Sequence, residues 1–395
     1  MTYGNIAPRL GVAYALTPRG DFVLRAGAGI FYDLGVGGSA NLAFNFPNST
    51  AAVFQNVSVP ISDVSPYLPT ISLQPPYEGG LQGFSPDLQL PRSYQWNVAL
   101  EKSFGGKQAI SATYVGQAGR DLLRQELLPQ TNANFGNGSF LGLTANDARS
   151  NYNALQLQYR RPLASRLQAL FNYTWSHSLD NASDDVTSAI SSTVISGARD
   201  YASSGFDVRH SFSSALNYDL RGFGRSGPIA LLTQNWSLNT VIVARKGFPF
   251  NAQVSAPSIF GVQYTRPDRV LGQPVWIRAP GAPGGKSLNS GAFVIPPAPR
   301  QGTEGRNDIP GLGLTQVDLS IARKVLIAEK LTLQFRADAF NLLNHPNFVN
   351  PYGYVQYGQY YMQSEQMLNQ GLGGLNPLFQ QGGPRSLQLS LKMTF

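Results

Sequence analysis

The last ten residues alternate without a break. Leu387, Leu389, Leu391, Met393 and Phe395 are apolar, and Ser386, Gln388, Ser390, Lys392 and Thr394 between them are polar. In an extended chain successive side chains point to opposite faces, so a period of two describes a strand with one greasy and one wet side. The pattern returns upstream. Leu331, Leu333, Phe335, Ala337 and Ala339 alternate with Thr332, Gln334, Arg336 and Asp338, and Leu167, Ala169, Phe171, Tyr173 and Trp175 lie among Gln168, Asn172, Thr174 and Ser176. The whole chain read this way predicts about eleven strands, over roughly 6–16, 22–34, 92–104, 108–119, 152–161, 167–178, 210–220, 234–245, 315–325, 330–342 and 385–395. Most run to about 10–13 residues, against about 5–6 in soluble domains. A tilted strand crossing a bilayer needs about 9–11.

The connections alternate as well. Short ones fall at Thr17–Asp21, Gly105–Lys107, Pro162–Arg166, Arg221–Thr233 and Leu326–Glu329, and long ones at about 35–91, 121–151, 179–209, 246–314 and 343–384. Soluble domains rarely carry several structureless loops of that length, whereas outer-membrane barrels put short turns on the periplasmic side and long loops outside. The 41 glycines and 27 prolines fit a chain rich in turns, and a helical bundle is excluded by the shortage of helix-favouring runs. Only 13% of residues are charged, about half the usual share, yet 42% are hydrophobic, so the chain is not a disordered one.

The two faces separate lipid from water. One carries Arg25, Gln95, Asn97, Ser111, Thr113, Gln156, Gln158, Asn172, Ser213, Asn217, Ser237, Asn239, Asp318, Arg336 and Lys392; the other carries Leu24, Trp96, Val98, Leu100, Ile110, Leu157, Tyr159, Phe171, Leu238, Ile242, Leu319 and Leu333. A soluble sandwich also alternates. Strand length, loop asymmetry and aromatics near strand ends (Phe22, Phe31, Tyr32, Tyr94, Trp96, Phe104, Tyr152, Trp175 and Phe395) favour lipid. The expected fold is therefore all-β: an antiparallel transmembrane β-barrel portion of about eleven long strands, with the whole of 1–395 as one barrel region.

No apolar run reaches the roughly 18–20 residues of a membrane helix. The start, Met1-Thr-Tyr-Gly-Asn-Ile-Ala-Pro-Arg9, does not read as a signal peptide, which leaves a cytoplasmic protein or a fragment whose true N-terminus lies elsewhere. With no cysteine, thiol catalysis, disulfides and Cys-ligated metals are excluded. The net charge of +8 is scattered, its densest groups being Arg160-Arg161 and Arg323-Lys324, so no nucleic-acid partner is expected.

The alternating final strand ending on Phe395 resembles the C-terminal assembly signal of outer-membrane β-barrels, with Leu387, Leu389, Leu391, Met393 and Phe395 as its residues. Ala337-Asp-Ala-Phe-Asn-Leu-Leu-Asn-His-Pro-Asn-Phe348 is similar to a segment near the end of TonB-dependent receptors of the Oar-like kind. Phe206-Asp-Val-Arg-His-Ser-Phe212 resembles a strand start in the same receptors, and Asn5-Ile-Ala-Pro-Arg-Leu-Gly-Val-Ala-Tyr14 with Leu24-Arg-Ala-Gly-Ala-Gly-Ile-Phe-Tyr-Asp33 is similar to a hairpin in the middle of their barrels. The resemblance implies a 22-strand barrel in a Gram-negative outer membrane, of which this chain is strands 12 to 22 without the plug. Implied partners are outer-membrane lipid, the barrel-assembly machinery, a small ligand, and the TonB complex through the missing N-terminal region. Strand parity agrees: the first strand is followed by a short turn, and ten strands later the chain ends on the short-turn side.

Little in the chain reads as chemistry. His177, His210 and His345 form no zinc-binding pair, and their bland reading is hydrogen bonding at strand ends and loops. No Gly-x-Ser-x-Gly elbow occurs. Gly27-x-Gly29 and Gly35-x-Gly37-Gly38 open no helix, and glycines on strands relieve crowding. No cofactor or catalytic residue is expected. Ligand contact is placed on the long loops, with Asp180, Asp184 and Asp185 in an acidic run and Tyr352, Tyr354, Tyr357, Tyr360 and Tyr361 in a tyrosine-rich stretch. Solvated loop carboxylates are the alternative for the acidic run. The tyrosines could stack on sugar rings or flat ligands, or pack the loops against each other. The leading function is an outer-membrane transporter fragment; the others are a smaller complete barrel (porin or membrane hydrolase) and a soluble adhesin-like β-protein.

Overall fold

The computed structural model describes residues 4–33, 63–67, 72–77, 80–105, 107–129, 133–134, 140–183, 200–223, 227–259, 262–297, 302–328, 331–368 and 381–395. One antiparallel sheet dominates. The strands along its main path are β1 (Arg9–Ala15), β2 (Phe22–Tyr32), β3 (Arg92–Phe104), β4 (Gln108–Pro129), β5 (Phe140–Ala164), β6 (Leu167–Asp180), β7 (His210–Asp219), β8 (Trp236–Arg245), β9 (Leu314–Ala328), β10 (Leu331–Phe340) and β11 (Ser386–Thr394), with two short strands, Gly80–Phe84 and Ala202–Ser203, paired at its long-loop end. Each of β1 to β11 pairs with its neighbour in sequence, so the path is a simple up-and-down meander. All eleven expected strands are present.

The register sorts the side chains as the alternation requires. Directly opposed residues share a face. One such row runs Ile110, Tyr159, Phe171, Ser214, Ile242, Val317; another runs Leu24, Leu100, Ala112, Leu157, Tyr173, Phe212. The row displaced by one residue is polar or small: Ser111, Gln158, Asn172, Ser213. Trp96, Val98, Leu100 and Ile110 stay exposed on the apolar face. Apolar side chains facing outward in register across a whole sheet need hydrocarbon, not water. Cation–ring pairs mark both ends of the sheet: Lys102 over Phe22 and Arg323 over Trp236 on the short-turn side, Arg9 over Phe31 and Arg245 over Phe248 on the other.

Gly27 relieves crowding as expected, whereas Gly35, Gly37 and Gly38 lie outside the described residues. A Cβ on Gly27 would meet the Asn97 side-chain oxygen at 2.7 Å, and one on Gly116, directly opposite Trp96, would collide with its indole. The flat ring takes the place a side chain would have filled.

One expectation fails. The connection at 121–151 is mostly strand, since β4 reaches Pro129 and β5 begins at Phe140. Register shifts between Gly119, Leu122 and Arg124, with Asp121 at φ 52°, break the alternation there. A bulge moves side chains to the opposite face, so the two halves of β4 do not read as one strand. At about 3.3 Å per residue the 22-residue β4 is roughly 70 Å long, against a hydrocarbon core of about 30 Å. It therefore projects well beyond the membrane on the long-loop side. A short strand at Gly80–Phe84 runs parallel to its partner β5 there.

Among the described residues the sheet does not close. β1 pairs with β2 alone and β11 with β10 alone. Residues throughout both strands are exposed, and Phe395 just past the last of them is 88% exposed.

Candidate ligand-facing site on the long-loop side

The long loops build a folded cap with its own small core. In the β8–β9 connection, Val254–Ile259 pairs with Val262–Thr265, Asp268–Arg269 with Phe293–Val294, and Trp276–Arg278 with Lys286–Leu288. Ala252, Leu288, Ala292, Phe293, Ile309 and Met362 are buried together, with Phe250, Val275, Trp276 and Val355 packed against them. Met362 and Val355 come from the β10–β11 loop, so this core joins two loops distant in sequence. Leu288, Phe293, Ile309 and Met362 each contribute on the order of 1.5–3 kcal/mol when fully buried.

The tyrosine stretch lies on that core. The Val355 amide donates to the Gln253 carbonyl at 3.1 Å and the Gly353 amide to the Tyr361 carbonyl at 3.1 Å, which folds the segment back on itself. Tyr361 becomes a hub, its ring centroid 6.2 Å from Tyr352, 5.8 Å from Tyr354 and 5.5 Å from Tyr357. Tyr354 and Tyr357 meet edge to face at 5.8 Å. The rings thus pack a loop against itself, yet Tyr352 and Tyr357 remain about half exposed and Tyr360 is 73% exposed. The cluster is self-supporting and leaves ring surface exposed to solvent. Nearby on the cap, Lys286 sits 4.2 Å over the Trp276 ring, and burial together with the Lys246 charge holds its ammonium below the usual lysine range.

Asp180 sits elsewhere, at the end of β6, and it is not a solvated carboxylate. Arg306 donates to its carboxylate at 2.6 Å, the Ser183 hydroxyl at 3.1 Å, and the side chain is buried. The same Arg306 reaches the carbonyls of Asp180 and Asp200. Asp200 in turn is held by Arg124 and Arg266, both at 3.0 Å. This buried network ties β4, the β6–β7 loop and the β8–β9 loop together. Removing one partner of such a pair costs about 3–5 kcal/mol, because a buried charge is left uncompensated. Asp184 and Asp185 lie outside the described residues. Within the cap, Glu304 is nearly fully buried, 3.9 Å from Arg269. Burial, with Asp308 adding to it, pushes its carboxyl above the usual range against the opposing pull of Arg269 and Arg266.

Two of the sequence segments singled out by resemblance, Ala337–Phe348 and Phe206–Phe212, turn out to hold clasps at strand ends. Asn341, fully buried at φ 48°, accepts from the His345 amide and donates to the carbonyls of His345 and Gly383 at 2.8 and 2.7 Å. Asn347 accepts from the Thr315 amide and donates to the Thr315 and His345 carbonyls. Asn350 bridges Leu312 and Phe248 in the same manner. Asparagine is required because each side chain must both accept and donate along backbone. Asp207 takes the Ser178 amide at 2.7 Å and His177 Nδ1 at 3.2 Å, and His210 Nδ1 meets the Tyr173 hydroxyl at 2.8 Å. Sequence reasoning missed Arg124, Asp200, Arg266 and Arg306. Each has other charges within a few residues, such as Asp121 and Glu126 around Arg124 or Glu304 and Asp308 around Arg306, so no local pattern singled it out.

Residues 1–380 match the model of a family described as an outer membrane beta-barrel domain. The chain belongs to that family. The apolar face of this outer membrane beta-barrel domain is the lipid-facing one, and the molecule resides in the outer membrane. No curated protein is similar enough in sequence to count as a relative. Its solved neighbours are outer-membrane transporters and receptors. The transporter YddB of Escherichia coli shares the fold at a TM-score of 0.57 and 10% identity, covering 99% of this chain and 40% of YddB. The FrpB iron transporter of Neisseria meningitidis follows at 0.46 and 11%, covering 99% and 39%, and the pyoverdine receptor FpvA of Pseudomonas aeruginosa at 0.47 and 10%, covering 98% and 36%. The chain therefore spans well under half the length of these structures.

Proposed function

We propose that this outer membrane beta-barrel domain is the C-terminal half, strands 12 to 22, of a TonB-dependent receptor of the Oar-like kind. A single observation carries the reading: an eleven-strand meander with an unpaired edge, among the described residues, on both β1 and β11. In hydrocarbon an unsatisfied backbone group costs several kcal/mol, so two open edges call for partner strands. The near-complete alignment of this chain to 40% of YddB supports the same view.

In this reading the preceding half supplies the other strands, a plug and the segment that contacts the TonB complex. Ligand is captured on the long-loop side and moves inward when the plug is displaced. No bond is made or broken by this chain. The proposed capture surface is the ring cluster Tyr352, Tyr354, Tyr357, Tyr360 and Tyr361, with Asp184 and Asp185 of the β6–β7 loop, while the buried Asp180 anchors the start of that loop through Arg306. The ligand is a siderophore, cobalamin, an oligosaccharide or a peptide. Leu387, Leu389, Leu391, Met393 and Phe395 serve the barrel-assembly machinery during insertion.

Uptake by the full-length receptor tests this reading, with ferric siderophores, cobalamin, oligosaccharides and peptides offered in turn. One of them should enter only while the proton gradient is intact. Tyr360→Ala and Tyr357→Ala should weaken its binding without lowering the amount of receptor in the membrane. Uptake indifferent to the gradient would contradict TonB coupling.

A further inference from the structure

We infer that the connection between β7 and β8 is an interfacial anchor seated in the periplasmic leaflet of the outer membrane. The fully described connections at Leu16–Asp21 and Ser165–Arg166 on the short-turn side are short, but this one runs from Leu220 to Asn235 and holds a helix, α1 (Gly227–Thr233). Ile229 and Leu232, three apart and so on one side of the helix, are each 64% exposed, while Ala230 is buried. Phe223 is exposed beside them. Water is a poor neighbour for that set.

The position of the helix decides what covers it. Trp236 begins β8 on the apolar face, in the same alternation as Leu238 and Ile242 and directly opposite Arg323. Its indole nitrogen donates to the Leu232 carbonyl at 2.9 Å, which fixes the last turn of α1 next to the lipid-facing side. The Thr233 hydroxyl accepts from the Phe223 amide at 2.9 Å and donates to the Ile229 carbonyl at 2.7 Å, closing the connection on itself. Exposed Tyr218 and Leu220 carry the apolar face of β7 to the foot of the helix. The exposed patch is thus continuous with the surface that already meets hydrocarbon.

Its rim is cationic and aromatic. Arg221 is exposed, and the Arg323 guanidinium lies 5.4 Å over the Trp236 ring. Apolar side chains inserted to shallow depth, with Trp and Arg at headgroup level, are the composition of an interfacial helix. Phospholipid phosphates are the anions such arginines would meet. The inference rests on the outer-membrane family and the side with short turns, and not on TonB coupling.

The absence of cysteine from these 395 residues makes the test direct. Spin labels are placed singly through Ile229→Cys and Leu232→Cys in the full-length protein, reconstituted in phosphatidylethanolamine–phosphatidylglycerol vesicles. Ile242→Cys serves as the hydrocarbon reference and Gly20→Cys, in an open turn, as the aqueous one. Both helix positions are largely exposed, so labels there should not disturb folding, and either alone suffices. Relaxation by oxygen should exceed relaxation by a water-soluble nickel chelate severalfold at 229 and 232, at a depth shallower than 242. Nickel access equal to that at position 20 would place the helix in water. Exclusion of both reagents would mean that protein covers it. Either result overturns the inference.

Discussion

The sheet and the cap above it solve opposite problems. In the sheet, the backbone satisfies itself through the ladder and the side chains only sort by face, as in the row Ile110, Tyr159, Phe171, Ser214, Ile242. In the cap there is little ladder, and the chain is held by particular side chains: the Arg306–Asp180 and Arg124–Asp200–Arg266 pairs, the Asn341 and Asn347 clasps, and a core around Ile309 and Phe293. A region stabilised by pattern tolerates change at any one position better than a region stabilised by a few buried polar contacts. The two should therefore fail separately.

The largest separation is expected from Asp200→Ala. It leaves Arg124 and Arg266 without their shared carboxylate, at a cost of about 3–5 kcal/mol. Hydrogen exchange should accelerate in 200–209 and 262–309 while β7 to β11 stay protected. Equal acceleration in both regions would mean that cap and sheet are one cooperative unit. The converse variant is Val98→Arg, on the lipid face of β3. A charge near the bilayer midplane costs about 2–4 kcal/mol, so sheet assembly should suffer, read as loss of heat-resistant mobility on gels. In whatever protein folds, the tyrosine cluster should keep its ring contacts.

The same contrast governs what the sequence could reveal. Alternation is local, so all eleven strands were legible, and Leu387 to Phe395 could be placed on one face from spacing alone. β4 beyond Gly119 was not, because an extra residue between Gly119 and Leu122 carries its side chains to the other face, and an extra residue in β5 opposite Leu122–Arg124 then compensates in the pairing. The helix at Gly227–Thr233 is too short for a 3.6-residue period to emerge. Arg306 and Asp180 are 126 residues apart, and no local pattern links them. For the candidate site, the tyrosine stretch was visible as composition. That Tyr361 is its hub was not, since this depends on the segment folding back through Gly353.

A smaller effect, confined to the cap, is expected from Glu304→Gln. Burial raises the Glu304 carboxyl above its ordinary value of 4.5, so the folded cap holds the proton more tightly than the unfolded chain. Glu304 therefore favours folding at low pH. Its contribution begins to fall as pH rises past the unfolded value, and the penalty is complete above the raised folded value. Glu304→Gln should stabilise the cap against proteolysis at pH 8, with the advantage shrinking toward pH 4 and no change in the sheet. An advantage independent of pH would assign the effect to packing instead.

The central claim is that β1 and β11 are edges waiting for other strands and not partners of each other. The chain's lack of cysteine allows it to be tested by a single pair, Val12→Cys on β1 with Leu389→Cys on β11. After mild oxidation of the folded chain in membranes, no disulfide should form within one molecule. Efficient intramolecular cross-linking of position 12 to position 389 would describe a small complete barrel and contradict the account.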